Sequence, residues 1–186
     1  MKDAPFVFVD PWGLTEKNYK GNELSCMVRG LLLPGTGMDD QKTINKAVKA
    51  TTTNKKALFA QKTQDQRRAH AVLFFFNPAL LDDERTLANI RAEFIKIGKE
   101  GLMPIVLISH ADDWDESIRQ NPMNWSAEMK ELQSKVAQAL NVPVGAIFPC
   151  VPNITLEKNF ELERLAYLIL ETALQSARTY ALKLEK

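Results

Sequence analysis

Two spacing patterns of apolar residues divide the chain. Short unbroken runs rich in β-branched and aromatic residues occur at Phe6-Val7-Phe8-Val9, Ala71 to Phe76, Ile105 to Ile108 and Ala146-Ile147-Phe148. They stop at Asp10-Pro11-Trp12-Gly13, Asn77-Pro78, Ser109-His110-Ala111-Asp112 and a loop through Pro149 and Pro152, respectively. Runs of this kind lack the alternation of a strand with one wet face; Ala71 to Phe76 and Ile105 to Ile108 in particular predict strands buried on both faces. Between the runs, apolar residues recur at helical spacing. Leu24, Met27, Val28 and Leu31 predict a short amphipathic helix, ended by Pro34-Gly35-Thr36-Gly37. Leu87, Ile90, Phe94 and Ile97, with Gly101 as a stop, predict a helix over Glu84 to Glu100. Ser126 can cap a helix whose stripe is Met129, Leu132, Val136 and Leu140. A last helix is predicted from about Asn159 to Leu184, with Phe160, Leu165, Leu168, Ile169, Ala173, Ala177 and Tyr180 facing inward. The stretch 39–68 is polar; Ile44 and Val48 suggest one weak helix there, and Leu58 another.

Strands alternating with helices imply parallel pairing, because a parallel pair needs a long, right-handed crossover. The expected class is α/β, a three-layer, mostly parallel sheet flanked by helices. No repeat, low-complexity tract or Gly/Ser linker interrupts it, so residues 1–186 read as a single domain.

Composition narrows the function classes. Hydrophobic residues make up 45% and charged residues 25%, which sets disordered and collagenous chains aside. Twenty-four basic against 23 acidic side chains leave a net charge of +1, so no global field steers the chain onto nucleic acid or an anionic membrane. No apolar run approaches the roughly 20 residues of a membrane span, and the amino terminus lacks the sections of a signal peptide. Cys26 and Cys150 lie too far apart in sequence for a metal-ligand spacing or a disulfide framework, which points to a reducing, intracellular compartment.

Ligands of open α/β sheets bind beyond the carboxyl ends of the strands, so candidate chemistry is sought there. Asp10 and Gly13 follow the first run. At that spacing a carboxylate can hold magnesium through a water while a glycine N–H approaches a terminal phosphate. After the third run, the Asp112 carboxylate could accept two hydrogens from a planar base edge. Cys150-Val151-Pro152-Asn153, after the fourth, could close over that base; Asn77-Pro78 carries no obvious chemistry. Each element also has an ordinary reading, since Asp-x-x-Gly is a common turn and an Asp after a strand often caps the next helix.

Taken together, these segments resemble a GTP-binding domain. FVFVDPWGL, Phe6 to Leu14, resembles a switch II segment; PIVLISHAD, Pro104 to Asp112, resembles the base-recognition strand with its Asn-Lys-x-Asp motif; IFPCVPNIT, Ile147 to Thr155, resembles the last guanine-contacting loop. With Val151-Pro152-Asn153-Ile154 and the long terminal helix following in the same order, the chain resembles the interferon-induced protein 44 type of GTPase-like proteins over nearly its whole length. The resemblance implies a cytoplasmic, guanine-nucleotide-binding-like P-loop NTPase fold associated with innate immunity. It also implies Mg2+ with GTP or GDP as cofactor, Asp10 as the metal-side residue, and nucleotide contacts from Asp10, Gly13, Ser109, His110, Asp112, Val151 and Asn153.

Departures from the family pattern limit that expectation. The Walker A sequence G-x-x-x-x-G-K-[ST], which cradles the phosphates, does not occur in the 186 residues; Gly30 to Gly37 comes nearest and lacks the lysine. Family order places that loop, its strand and switch I ahead of Met1, so the chain is expected to be the carboxyl-terminal part of a G domain. Without that strand, either the runs at 6–9 and 71–76 pair directly or an apolar edge stays open, and marginal stability or self-association is expected. Ser109 stands at the Asn position and His110 at the Lys position. Leu14 follows Gly13, where many small GTPases place a water-orienting glutamine, so hydrolysis by that route is not expected.

The remaining features read as structural. His70 is a surface or packing residue, and Trp12, Trp114 and Trp125 fall in loops near the binding edge, as loop anchors, the commonest case, ligand-stacking surfaces or interface residues. Asp112, Asp113, Asp115 and Glu116 could bind a cation, but consecutive acids after a strand more often solvate a helix start. The lysines of 42–68 follow no single face and lack interleaved aromatics, which favours a solvated insert over a nucleic-acid surface. Two functions remain in view: a weak or defective guanine-nucleotide-binding-like module, and a noncatalytic protein-interaction domain of the same fold. The second would use the helix at Leu24 to Leu31 or the terminal helix as its docking face.

Overall fold

The computed structural model of the chain describes residues 23–31, 41–52, 68–151 and 159–184. These fall into two compact units, Met1–Arg68 and Ala69–Lys186. No helix among the described residues is long and apolar enough to cross a membrane.

In the first unit, α1 (Glu23–Val28) buries Leu24, Cys26 and Val28. It stops at Gly30, earlier than the Pro34-Gly35 signal suggested. Gly30 adopts φ +67°, and its N–H donates to the Met27 carbonyl at 2.8 Å while the Leu31 N–H reaches Cys26 at 2.9 Å. A residue without Cβ enters this left-handed conformation freely, so the helix closes at the first available glycine. α2 (Gln41–Thr52) packs Ile44 onto Cys26, with Met27 and Leu31 alongside. Lys42, Lys46 and Lys49 are all exposed at i, i+4 and i+7, so within α2 the lysines do share one face, contrary to the sequence reading. The helix expected at Leu58 and the strand expected at Phe6 to Val9 lie outside the described residues.

The second unit is built on three parallel strands, β1 (Leu73–Phe76), β2 (Ile105–Ile108) and β3 (Ile147–Pro149), in the order β1-β2-β3. Leu73 pairs with Ile105 and Phe76 with Ile108; Val106 pairs with Ile147 and Ile108 with Pro149. α3 (Glu84–Lys99) joins β1 to β2, and α4 (Ala127–Leu140) joins β2 to β3. Two right-handed crossovers in the same direction put both helices on one face. There the Phe94 ring meets Phe74 edge-on at 5.1 Å. The terminal helix α5 (Phe160–Leu184) covers the other face, where Leu165 and Ile169 pack on Ile105, Leu107 and Phe148. The α/β class and the helix-covered parallel sheet therefore stand as expected.

Local chemistry sets the element ends. The Asp83 carboxylate accepts the Thr86 N–H at 3.0 Å to start α3, and the Ser126 hydroxyl accepts the Met129 N–H at 3.1 Å to start α4. Gln133, buried in α4, donates its amide to the carbonyls of Ile147 at 2.9 Å and Val144 at 3.1 Å, fastening the helix to the entry of β3.

Two burial expectations are corrected. Ala71 to Phe76 is not buried on both faces: the strand begins at Leu73, and Phe75 is 62% exposed. β1 is an edge of the described sheet, and α5 reaches Leu73 but leaves Phe75 outside its footprint. Phe160 does not face inward either; it is 75% exposed at the first turn of α5, ahead of the residues that touch the sheet.

Gly101 closes α3 at φ +88°, with its N–H on Gly98 at 2.9 Å and the Leu102 N–H on Ile97 at 3.3 Å. Gly98 is helical and has nothing within 4 Å of its Cβ direction. In urea unfolding, Gly101→Ala is expected to lose about 1 kcal/mol through left-handed strain, whereas Gly98→Ala gains roughly 0.5 kcal/mol.

Candidate functional site

The carboxyl ends of β2 and β3 form one rim, laced by backbone hydrogen bonds. The Ser109 N–H donates to the Phe76 carbonyl at 2.9 Å, and its hydroxyl donates to the same oxygen at 3.2 Å. The Cys150 N–H donates to Ile108 at 2.8 Å, and the Ala111 N–H donates to Cys150 at 3.2 Å. Loops separated by some forty residues are thereby held edge to edge. His110, exposed, adopts φ 53° and ψ 41°, a left-handed conformation that costs a non-glycine residue about 1 kcal/mol or more. That reversal turns the chain from strand into the 3-10 turn Ala111–Asp113 and carries Asp112 inward.

The Asp112 side chain is only 2% exposed and ion-paired with Arg119, itself 54% exposed. Arg119 donates from Nε at 2.8 Å and from Nη2, both to Oδ2. Oδ1 is buried and has no hydrogen-bond partner among the described residues. A buried carboxylate oxygen favours a donor, so Oδ1 is able to accept a further hydrogen bond. Arg119 is held through the following turn: Asp115 caps Glu116–Arg119 by accepting the Ser117 N–H at 3.0 Å, and the Asn159 amide donates to the Arg119 carbonyl at 3.0 Å. Asn159 also caps α5, accepting the N–H groups of Glu161 and Leu162 at 3.1 and 3.2 Å. Hydrogen bonds led by the Ser117 hydroxyl hold the Asp115 carboxyl below its usual value.

Of the residues singled out in the sequence, Ser109, His110 and Asp112 share this rim, and Val151 follows Cys150 directly onto it. Asp10, Gly13 and Asn153 lie outside the described residues. The acidic cluster behaves as expected for Asp115, a cap, but Asp112 is an interior ion-pair partner. Trp125 is a loop anchor, its indole N–H donating to Pro122 at 2.6 Å, while Trp114 is exposed. His70 is exposed beside the Tyr180 ring, as a packing residue. Arg119 and Asn159 were missed as site residues. Arg119 had one signal: it is the sole Lys or Arg in the acid-rich stretch 109–121. A groove of about 260 Å³ is lined by Met123, Asn124, Trp125, Lys130, Phe148 and Leu168, none of them a rim residue named above. Among the described residues no group of three His, Cys, Asp or Glu side chains is placed to hold a metal ion.

Comparison of the chain with protein-family models, with curated proteins and with solved structures gives no match.

Cys26 is buried and Cys150 half-buried, both as thiols. Burial, and secondly the Asp112 carboxylate, push the Cys150 thiol above its usual value, so it stays protonated near neutral pH. In a Cys26→Ser chain, alkylation of native Cys150 near pH 8 is expected to run at least about tenfold slower than in urea. The fold favours the protonated thiol, so its stabilising contribution is present below the ordinary thiol pKa and is lost as pH rises through the raised value. Unfolding free energy should accordingly decline above roughly pH 9 in the Cys26→Ser chain, and less so when Cys150→Ser is added.

Proposed function

We propose that the chain is a guanine-nucleotide-binding-like module of the interferon-induced GTPase-like type, with the G-domain form of the P-loop NTPase fold. Asp112 reads the base, Ser109, His110 and Val151 shape its rim, and Asp10, Gly13 and Asn153 complete the site. The observation that carries the reading is the Asp112 carboxylate, buried at the carboxyl edge of a parallel sheet with Oδ1 lacking a donor. Guanine presents two adjacent donors on one edge, N1–H and the 2-amino group, which suit a carboxylate. One of the two oxygens is already engaged by Arg119, whose half-exposed guanidinium is the group positioned to give way.

Affinity is weak because the 186 residues contain no Walker A loop, and with it go the amides and lysine that hold a triphosphate. Magnesium, which would neutralise phosphate charge, would be held on the side of Asp10. Leu14 stands after Gly13, where many small GTPases place a water-orienting glutamine, so the module binds without hydrolysing by that route.

Titration with a fluorescent guanine nucleotide, with and without Mg2+, tests the reading. Binding in the micromolar range or weaker is expected. It should favour guanine over adenine, fall roughly tenfold or more in Asp112→Ala, and rise in Arg119→Gln as Oδ2 is released. Binding indifferent to Asp112, or none at attainable concentration, would favour a noncatalytic interaction domain of the same fold.

A further inference from the structure

α5 carries a second apolar stripe that the fold does not use. Its inner face, Leu165, Leu168, Ile169, Ala173 and Tyr180, is taken up by the sheet side or by its own neighbours. Phe160, Tyr167 and Leu174 recur every seven residues and are 75%, 71% and 49% exposed. Ala181 continues that series, and Leu170, Ala177 and Leu184 supply the intervening positions. At about 100° per residue Phe160, Tyr167 and Leu174 lie on nearly the opposite side of the helix from Leu165 and Ile169, and the half-buried Leu170 and Ala177 lie between that line and the inner face. A seven-residue repeat of apolar positions is the signature of a helix–helix seam, not of a helix lying on a sheet.

The flanking charges say what the seam fits. Arg164, Glu171 and Arg178 follow the stripe at the same seven-residue interval with alternating sign, and all three are exposed. The positions on the other flank, Ala166, Ala173 and Tyr180, are uncharged. In a parallel pair one flank faces the other flank, so these charges would meet no partner. In an antiparallel pair the charged flank faces itself, and Glu171 of one copy meets Arg178 of the other, twice by symmetry. That register also sets Leu174 against Ala177, Leu170 against Ala181 and Tyr167 against Leu184, each with an apolar neighbour and two with a large-to-small fit. The alternative pairing of Arg164 with Glu171 would oppose Leu174 with Glu163 and is disfavoured.

We infer that α5 is a homodimerisation helix, pairing antiparallel with α5 of a second copy of this chain through Tyr167, Leu170, Leu174, Ala177, Ala181 and Leu184, with Glu171–Arg178 pairs fixing the register. This surface is separate from the nucleotide rim, and its test does not depend on nucleotide binding.

Sedimentation equilibrium of the full chain over a range of concentrations measures it. The wild-type chain is expected to reach a dimer, whereas Tyr167→Glu and Leu174→Glu should each sediment as monomers with unchanged far-ultraviolet circular dichroism. Glu171→Arg or Arg178→Glu alone should weaken association about tenfold, since each turns two attractive contacts repulsive. The double swap Glu171→Arg with Arg178→Glu should restore it. A monomeric wild-type chain, a dimer insensitive to both stripe variants, or a double swap no better than the single changes would overturn the assignment.

Discussion

The burial of β2 governs the second unit. Ile105, Val106, Leu107 and Ile108 are shielded on both sides, which requires apolar cover above and below the sheet and a hydrogen-bonded neighbour on each edge. α3 and α4 supply one cover and α5 the other. Because the covers are helices reached by long crossovers, all three strands run the same way, and their carboxyl ends open on one rim. The described candidate residues sit there as a consequence of that constraint.

At the rim the same packing sets the electrostatics. His110 turns the chain so that Asp112 enters the interior, where a lone carboxylate is unfavourable, and Arg119 is brought back over two 3-10 turns to compensate it. The compensation is one-sided, engaging Oδ2 and leaving Oδ1 without a donor. Cys150 shares this surrounding, where burial and then the Asp112 carboxylate disfavour its thiolate.

Much of the scaffold was legible because its signals are local. The spacing of Leu87, Ile90, Phe94 and Ile97 gives α3 within a residue, the Ser126 cap gives the start of α4, and the unbroken run at 105–108 gives β2. What failed depended on the reach of one element over another. Phe75 and Phe160 are as apolar as their buried neighbours, and only the footprint of α5 and the edge position of β1 leave them in solvent. The lysine face of α2 became visible once Gln41–Thr52 was seen as one helix. Asp112 was identified from its place after a strand, but its pairing with Arg119 crosses two irregular turns that no periodicity announces. The second stripe of α5 was obscured in sequence because a helix apolar on two sides reads as one broad buried face.

The proposed function makes the rim at Ser109 to Asp112 and Cys150-Val151 a binding edge for guanine. Amide spectra of ¹⁵N-labelled chain titrated with GDP, and with ADP as comparison, address it most directly. Shifts that saturate with GDP, cluster at residues 109–112, 119 and 150–151, and are weaker with ADP are the predicted result. Spectra that do not move, that move equally with both nucleotides, or that move only on surfaces away from this rim would contradict it.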